Sequence, residues 1–282
     1  IEGDLYLSAG AGLNADDLYG AHINIGKNWH NYNSGFSSTT GFSPQHSTVS
    51  FNGNSTQSLT TNALEEVFHN LIIDKPSGSF RTGYNLTILG DLQINSGTWQ
   101  DNQNWLYHKI SGDFSISPGA IYTTLGFANT IQFNGSANSV FTNNSPSSVF
   151  TSLLVDKTGN GMVTQVGNIT TGFFGNLTIL QGKYNVNGQT LSVDGNIVIN
   201  NTGWLLMAQP SSTLLMTKAQ AIIDINQGGR LEATGTSGNP CTISKGTAGS
   251  YQLNVNSGGT ISARNVVFSG LNINGIQINN GG

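Results

Sequence analysis

The sequence predicts an all-β chain that folds as a right-handed parallel β-helix, a solenoid of stacked strands. Three observations favour this fold. Residues 49–53 are echoed by residues 131–135, and residues 68–75 by residues 150–157, at one shared offset; such self-similarity marks units that bury their apolar faces against each other. Apolar and polar residues alternate over four or five positions, which is typical of strands with one buried face. Glycine is frequent, at 37 of 282 residues, and permits sharp corners between strands.

The alternating segments recur along the whole chain, each bounded by a turn. They are residues 86–89, 91–94, 113–116, 130–133, 190–193, 196–199, 221–225 and 252–255. The turn pairs are Asn52-Gly53, Ser96-Gly97, Ser111-Gly112, Asn134-Gly135, Asn187-Gly188, Asp194-Gly195, Gly228-Gly229 and Gly258-Gly259. Their residue types tolerate the positive φ angles that tight turns need. Residues 258–270 read as one strand, a bend and the next strand of a coil.

Tandem β-sandwich repeats are the alternative fold, since they also contain many short strands with regular turns. From residue 177 to residue 278, however, strands follow one another with no linker and no proline-marked boundary. The long connections that Greek-key sandwiches use are also missing from this stretch. The solenoid is therefore the favoured prediction.

Three repeat units are predicted within one continuous solenoid over residues 1–282: residues 3–89, 90–174 and a divergent 175–282. At equivalent positions we expect phenylalanines to form interior stacks or loop anchors, and Asp-Lys pairs to end equivalent strands. These positions are Phe51 and Phe133, Phe68 and Phe150, Asp74 and Asp156, and Lys75 and Lys157. The repeat pattern is open at both ends, so we expect a segment of a longer protein.

The composition argues against several partners. The 10 basic residues are scattered singly and the formal net charge is −4, so the chain lacks the basic patch that nucleic acid requires, and we expect no nucleic-acid partner. No stretch approaches the ~20 apolar residues of a membrane span, so none is predicted in this segment. Cys241 is the single cysteine, which excludes an internal disulfide.

Carboxylates are few, at 14, and two adjacent pairs stand out, Asp16-Asp17 and Glu65-Glu66. Neighbours in a strand point to opposite faces, so neither pair forms a site alone. We interpret them as solvated loop acids, with a calcium site at Asp16 and Asp17 as the alternative. The five histidines lack metal-type spacing. No cofactor is expected apart from that calcium.

Aromatic residues concentrate in the irregular stretches, which we expect to form loops on one side of the solenoid. They are Trp29, Tyr32 and Phe36 in the first unit and Trp99, Trp105 and Tyr107 in the second. Packing against the flank of the solenoid is one interpretation. The other is contact with carbohydrate, whose rings stack on exposed aromatic faces, with Trp29, Tyr32, Trp99, Trp105 and Tyr107 as candidates.

Several strings resemble the repeats of very large, secreted, adhesin-like surface proteins of bacteria that use the type IX secretion route. They are Val-Ser-Phe-Asn-Gly (49–53), Phe-His-Asn-Leu-Ile-Ile-Asp-Lys (68–75), Asn-Leu-Thr-Ile-Leu-Gly-Asp-Leu-Gln-Ile (85–94) and Asn-Gly-Gln-Thr-Leu-Ser-Val-Asp-Gly-Asn-Ile-Val-Ile (187–199). The likeness covers most of the chain and is weakest in residues 8–47 and 201–220. It implies export, an extracellular or cell-surface location, and a role as stalk, adhesin or binding surface.

We therefore expect a non-enzymatic structural or adhesive segment whose partners are surface glycans or other copies of the same protein. One alternative is a carbohydrate-active β-helix, a polysaccharide-binding protein, lyase or hydrolase. That alternative requires acidic side chains to converge in a groove with aromatics such as Trp99 and Trp105. The acidic candidates are Asp16, Asp17, Glu65, Glu66 and Asp101. A second alternative is a subunit of a polymeric surface fibre or layer.

Overall fold

The computed structural model describes residues 1–15, 20–33, 41–246 and 249–279. Within these ranges the chain is all-β with no helix, and its strands stack in parallel into a β-solenoid of about 11 turns. The predicted parallel β-helix is confirmed. The alternative of tandem sandwiches is wrong, because sandwich sheets are antiparallel whereas neighbouring coils pair in parallel here.

The described residues contain no helix that is long and apolar enough to cross a membrane.

The chain divides into two compact units. Unit 1 comprises Ile1–Ile131 and Asn144–Ser148, and unit 2 comprises Gln132–Asn143 and Val149–Gly282. The strands of unit 1 are β1 (Leu5–Leu7), β2 (Leu13–Asn14), β3 (His22–Ile25), β4 (Trp29–Asn31), β5 (Phe42–Ser43), β6 (Thr48–Phe51), β7 (Gln57–Thr61), β8 (Glu65–Phe68), β9 (Asn70–Thr82), β10 (Asn85–Ile88), β11 (Leu92–Asp101), β12 (Tyr107–Ile110), β13 (Phe114–Ile116) and β14 (Ile121–Thr124).

Strand β15 (Thr130–Phe133) contains residues of both units. The strands of unit 2 are β16 (Ser139–Asn143), β17 (Ser152–Asp156), β18 (Met162–Val166), β19 (Ile169–Thr170), β20 (Leu177–Asn185), β21 (Thr190–Val193), β22 (Ile197–Met207), β23 (Thr213–Met216), β24 (Ala221–Ile225), β25 (Arg230–Thr234), β26 (Cys241–Lys245), β27 (Tyr251–Val255), β28 (Thr260–Arg264), β29 (Val266–Ser269) and β30 (Leu271–Ile278).

The core of unit 1 is built from inward rows, in which one residue of each coil lies over its register partner in the next. Phe80, Trp99 and Tyr122 are such a row on β9, β11 and β14. Their ring centroids lie 5.5 Å and 5.9 Å apart in edge-to-face contact, an arrangement that stabilises beyond the area it buries. All three side chains are buried.

Unit 2 stacks aliphatic residues instead, and a ladder of asparagines runs beside them. Ile179, Ile199, Ile225, Val255 and Ile278 are successive register partners. The residue after each of the last four is an asparagine; the four are Asn200, Asn226, Asn256 and Asn279. The Nδ2 of each of the last three donates to the Oδ1 of the asparagine on the previous coil at 2.6–2.7 Å. A ladder of this kind pairs side-chain amides that would otherwise compete with the strand backbone.

The duplicated phenylalanines all lie in the interior. Phe51, Phe68, Phe133 and Phe150 have no exposed surface. Phe51 lies 4.5 Å from Phe80 between ring centroids in unit 1. In unit 2, Phe133 and Phe150 each lie about 5 Å from Phe141. The repeated phenylalanines thus belong to aromatic clusters of the core.

The duplicated Asp-Lys pairs differ from expectation. Asp156 ends β17, but Asp74 and Lys75 lie within the long strand β9. Both Lys75 and Lys157 point inward and are buried. The Lys75 Nζ donates to the Gly53 carbonyl at 2.6 Å and to Gln57 Oε1 at 2.5 Å.

The equivalent Lys157 Nζ donates to Ser139 Oγ at 2.6 Å. Each lysine lies under a glycine of the next coil with positive φ: a Cβ on Gly97 would lie 2.7 Å from Lys75 Cβ, and one on Gly182 would lie 2.6 Å from Lys157 Cβ. The repeat therefore encodes a buried amine that closes a turn, covered by a glycine that leaves room for it.

Candidate functional site

Unit 1 carries a groove on its outer surface, at the carboxyl ends of β7, β9 and β11. Its volume is about 510 Å³. Apart from two leucines, its lining consists of polar residues and one glycine. The lining residues are Ser58, Leu59, Thr60, Arg81, Gly83, Tyr84, Asn102, Gln103, Asn104 and Leu106. Concave sites with convergent polar groups are where small ligands bind.

The floor of the groove exists because one outward row lacks a side chain. Along this row Tyr6 pairs with His30, and His30 with Thr60. On the next two coils, Thr82 pairs with Leu59 and Asp101 pairs with Thr82. The residues that follow them, Gly83 and Asn102, therefore continue the row of Thr60. A Cβ on Gly83 would lie 2.8 Å from Gln103 Cγ and 3.1 Å from Asn102 Oδ1. Gly83 therefore leaves room for the side chains of Gln103 and Asn102, which any larger residue would displace.

Aromatic rings continue the same row beyond Thr60. Tyr6, His30 and Tyr32 are nearly parallel, with centroids 4.6 Å apart for Tyr6 and His30 and 5.9 Å apart for His30 and Tyr32. Tyr6 and Tyr32 are exposed, at 56% and 39%. The negative charge of Asp4 raises the pKa of Tyr6, so its hydroxyl stays protonated and donates to Asp4 Oδ2. Partly exposed aromatic rings thus lie on the two coils that precede Thr60 in this row.

One wall of the groove is the loop at residues 102–106, and a buried side chain fixes it. The Asn129 Nδ2 donates to the Gln103 carbonyl at 3.0 Å, and Asn129 Oδ1 accepts from the Leu106 N–H at 3.0 Å. Trp105, at the tip of this loop, is 73% exposed and has a φ of +62°. Both the exposure of a large apolar ring and a left-handed backbone at a residue other than glycine cost free energy. Backbone strain of this kind is common at functional sites.

Asn129 in turn belongs to a buried network centred on Asp101. The Asp101 Oδ1 accepts from Trp99 Nε1 at 2.8 Å and faces His108 Nε2 at 3.1 Å. Because His108 Nδ1 accepts the Leu86 N–H, its proton is placed on Nε2, which donates to Asp101. The carboxylate therefore anchors its neighbours from inside the core.

The other carboxylate oxygen completes the network. Asp101 Oδ2 accepts from the Tyr122 hydroxyl at 2.6 Å and from Asn129 Nδ2 at 3.3 Å. Burial, reinforced by the Asp101 charge, raises the pKa of Tyr122 well above its usual value, which keeps the hydroxyl a donor. The Asp101 network is thus a structural support that reaches the groove wall through Asn129.

The five residues predicted to contact glycans differ in their exposure in the structure. Trp29 and Trp99 lie in strands β4 and β11 with no exposed surface, so the prediction that their rings contact carbohydrate is wrong. Trp29 packs edge-on to Phe42 and Phe68, and Trp99 can be buried because Asp101 accepts its N–H. Tyr32 belongs to the aromatic stack. Trp105 is exposed at the tip of the loop at residues 102–106, and Tyr107 is half-buried in β12; neither is among the residues that line the groove.

The predicted acidic candidates do not meet in the described part of the chain. Asp16 and Asp17, with the calcium site considered for them, lie outside the described residues, as does Phe36. The Glu65 carboxylate pairs with Lys109 Nζ at 3.1 Å on the surface, while Glu66 and Asp101 are buried. In the ranges described, no three His, Cys, Asp or Glu side chains are grouped to hold a metal ion.

Glu66 is a buried acid that takes part in no ion pair among the described residues. It is 2% exposed, and the Asn31 Nδ2 donates to both of its oxygens at 3.1 Å. Burial raises the pKa of Glu66 to about 7, although hydrogen bonds from Thr61 and Asn31 act in the opposite direction. Asn31 also accepts from the Asn33 amides, and Asn33 binds the Gly10 N–H and the Ala11 carbonyl.

This geometry predicts a pH dependence of stability. Because the folded pKa of Glu66 is raised from 4.5 to about 7, its contribution is fully present below pH 4.5 and is lost as the pH rises through 7. We expect Glu66→Gln to increase the free energy of unfolding at pH 7.5 and to flatten its decline between pH 5 and 7.5, by on the order of 3 kcal/mol. Urea denaturation across this pH range measures it.

Glu65→Gln is the matched control, because Glu65 precedes Glu66 on β8 and its contacts are a surface ion pair with Lys109 and a hydrogen bond from the Thr87 hydroxyl, which a glutamine can still accept. It is expected to change stability by less than about 1 kcal/mol and to leave the pH profile intact. An identical pH profile in Glu66→Gln and the unmodified protein would contradict the assignment.

Sequence reasoning did not find Tyr6, His30, Arg81 or Tyr84 as site residues. Each is an isolated polar or aromatic residue in a short alternating segment, as many others are. Their proximity depends on which residues of successive coils lie in register. If every coil had the same length, the sequence would show which residues lie in register, but the coils differ in length.

No protein-family model, curated protein or solved structure matches this chain.

Proposed function

We propose that this chain is a non-enzymatic structural and adhesive segment of an extracellular or cell-surface repeat protein, and that it binds surface glycans at the groove of unit 1. The observation that carries the proposal is the alignment of a polar groove with an exposed aromatic stack in consecutive coils. Sugars offer both hydroxyl groups and apolar ring faces, so they fit a surface that presents amides beside aromatic rings.

The side chains around the groove support this choice. Asn102, Gln103 and Asn104 come from one loop and carry both donors and acceptors, while Thr60 and Ser58 supply hydroxyl groups from β7. The wall is fixed by buried hydrogen bonds through Asn129, so little ordering is required when a ligand binds. Ladders of parallel strands suit the rest of the solenoid to the role of a stalk.

Filling the groove tests the proposal. A valine side chain at Gly83 would meet Gln103 and Asn102, so we expect Gly83→Val to weaken glycan binding at least tenfold, which is about 1.4 kcal/mol. The measurement is a glycan microarray on the purified chain, followed by isothermal titration with the strongest hits. A reducing-end assay with plant and microbial polysaccharides, run in parallel, is expected to detect no product.

Gly238→Val is the control, because a Cβ at Gly238 meets no atom within 4 Å and the residue lies in unit 2. It should bind as the unmodified chain does. Absence of binding across the array would contradict the adhesive role, and release of reducing ends would contradict the non-enzymatic one. Equal affinity of Gly83→Val and the unmodified chain would place the contact away from this groove.

A further inference from the structure

Among the described residues that line the groove, Arg81 is the only charged one. It lies on an outward row in which hydrogen bonds or strand pairing connect Asp4, Asn28, Ser58, Arg81 and Gln100. Its immediate neighbours, Ser58 and Gln100, are neutral, and its side chain is exposed. A single guanidinium thus stands among amides and hydroxyls.

No carboxylate compensates this charge within the described ranges, where Arg81 takes part in no ion pair. Asp4 lies three strand spacings away along the row, ~14 Å between backbones, and forms no ion pair with Arg81. Asp4 also accepts the Asn28 N–H at 2.9 Å, which lowers its pKa. Glu65 is paired with Lys109 and Asp101 is held by its buried donors.

Arg230, by contrast, has partners. Its Nη2 donates to Glu232 Oε2 at 2.8 Å, and its guanidinium lies 4.4 Å from the centroid of the Trp204 ring. A surface arginine of this chain can therefore be paired with an acid two residues away. Arg81, which has no acid at the corresponding position, keeps its donors available to a ligand.

We propose that the groove selects glycans that carry carboxylates, and that Arg81 is the residue that binds them. This inference rests on the proposed glycan-binding function and names its ligand class. A guanidinium presents a planar pair of N–H groups that matches a carboxylate bidentately. The neutral amides of the loop at residues 102–106 would bind the hydroxyls of the same sugar, and the Tyr84 ring is placed to contact its apolar face.

The test compares each acidic oligosaccharide with its own methyl ester, which keeps the sugar and removes the charge. The ligands are oligomers of galacturonate, glucuronate and guluronate, titrated calorimetrically at low salt into the full chain. For at least one pair we expect the free acid to bind at least tenfold tighter than the ester. Arg81→Gln should bind the free acid and the ester with equal affinity, whereas Arg230→Gln should keep the preference for the acid. Higher salt should reduce the preference, because the contact is exposed.

Equal binding of acid and ester by the unmodified chain would overturn the inference and leave the proposed function standing, as would array hits restricted to neutral glycans. A preference for the acid that persists in Arg81→Gln would overturn it by placing the anion elsewhere. Failure to bind any glycan, neutral or acidic, would overturn the proposed function together with it. Thermal melting of each variant confirms that it is folded.

Discussion

Replacing Asp101 with alanine is expected to lower the free energy of unfolding of unit 1 by roughly 3–5 kcal/mol, because several buried donors lose their acceptor at once. The carboxylate accepts hydrogen bonds from four side chains and has no exposed surface. Its removal takes away an acceptor from each of these donors, of which Asn129 keeps the Gln103 carbonyl and Thr124 Oγ1, and it opens a cavity beside Trp99. Urea denaturation followed by tryptophan fluorescence measures the change, since Trp99 contacts the altered site.

Asp74→Ala is the control for this prediction. Asp74 is exposed and accepts one hydrogen bond, from Ser96 Oγ, so its replacement should change stability by no more than about 0.5 kcal/mol. Because Asn129 connects Asp101 to the groove wall, Asp101→Ala should also weaken glycan binding. Equal stability of the two variants would show that the Asp101 network does not support unit 1.

Replacing Lys75 with alanine is expected to destabilise unit 1 by roughly 2–4 kcal/mol. The change removes the donor to the Gly53 carbonyl and to Gln57 Oε1, and it leaves a cavity where the buried side chain beyond Cβ lay. Lys27→Ala is the matched control, since Lys27 is exposed, and it should be nearly neutral. Comparable midpoints for the two variants in urea would contradict a structural role for the buried amine.

The same lysine predicts a pH effect of known sign. Burial lowers the pKa of Lys75 from 10.5 to about 8, so its contribution to stability is greatest above pH 10.5 and is lost as the pH falls through 8. Between pH 7.5 and 9.5 the unmodified chain should gain stability that Lys75→Met does not gain. Higher pH is unsuitable for the test, because burial raises the pKa of Tyr251 to about 12 and that of Tyr184 further, which destabilises the fold as unfolded tyrosines ionise.

The parallel solenoid could be predicted from the sequence because its cause is local. Alternation over residues 190–193 and 252–255, for example, places Leu191 and Leu253 inside, and paired turn residues such as Gly258-Gly259 separate consecutive strands. The long strand β9 was missed because it continues through Asp74 and Lys75, which pattern reasoning places outside. That lysine is buried only because carbonyl partners and a glycine of the next coil surround it.

The groove could not be predicted, because it depends on register between coils of unequal length. Nothing near Arg81 in the sequence indicates that Ser58 and Gln100 lie beside it, or that Gly83 lies between Thr60 and Asn102. From the sequence, Trp99 and Trp105 are equally good candidates for a ligand contact, yet Trp99 is buried and Trp105 is 73% exposed. What separates them is that Trp99 has a buried acceptor in Asp101, whereas Trp105 lies at the tip of a loop.

The measurement that tests the central claim most directly is hydrogen–deuterium exchange of the full chain with and without the glycan that binds it most tightly on the array. Residues 83 and 103–104 form bends beside the groove, so their amides should exchange readily in the free chain. If glycans bind in this groove, exchange should slow in these segments and at residues 58–60, while unit 2 remains unchanged. Protection confined to unit 2, with the groove segments unaffected, would contradict the account.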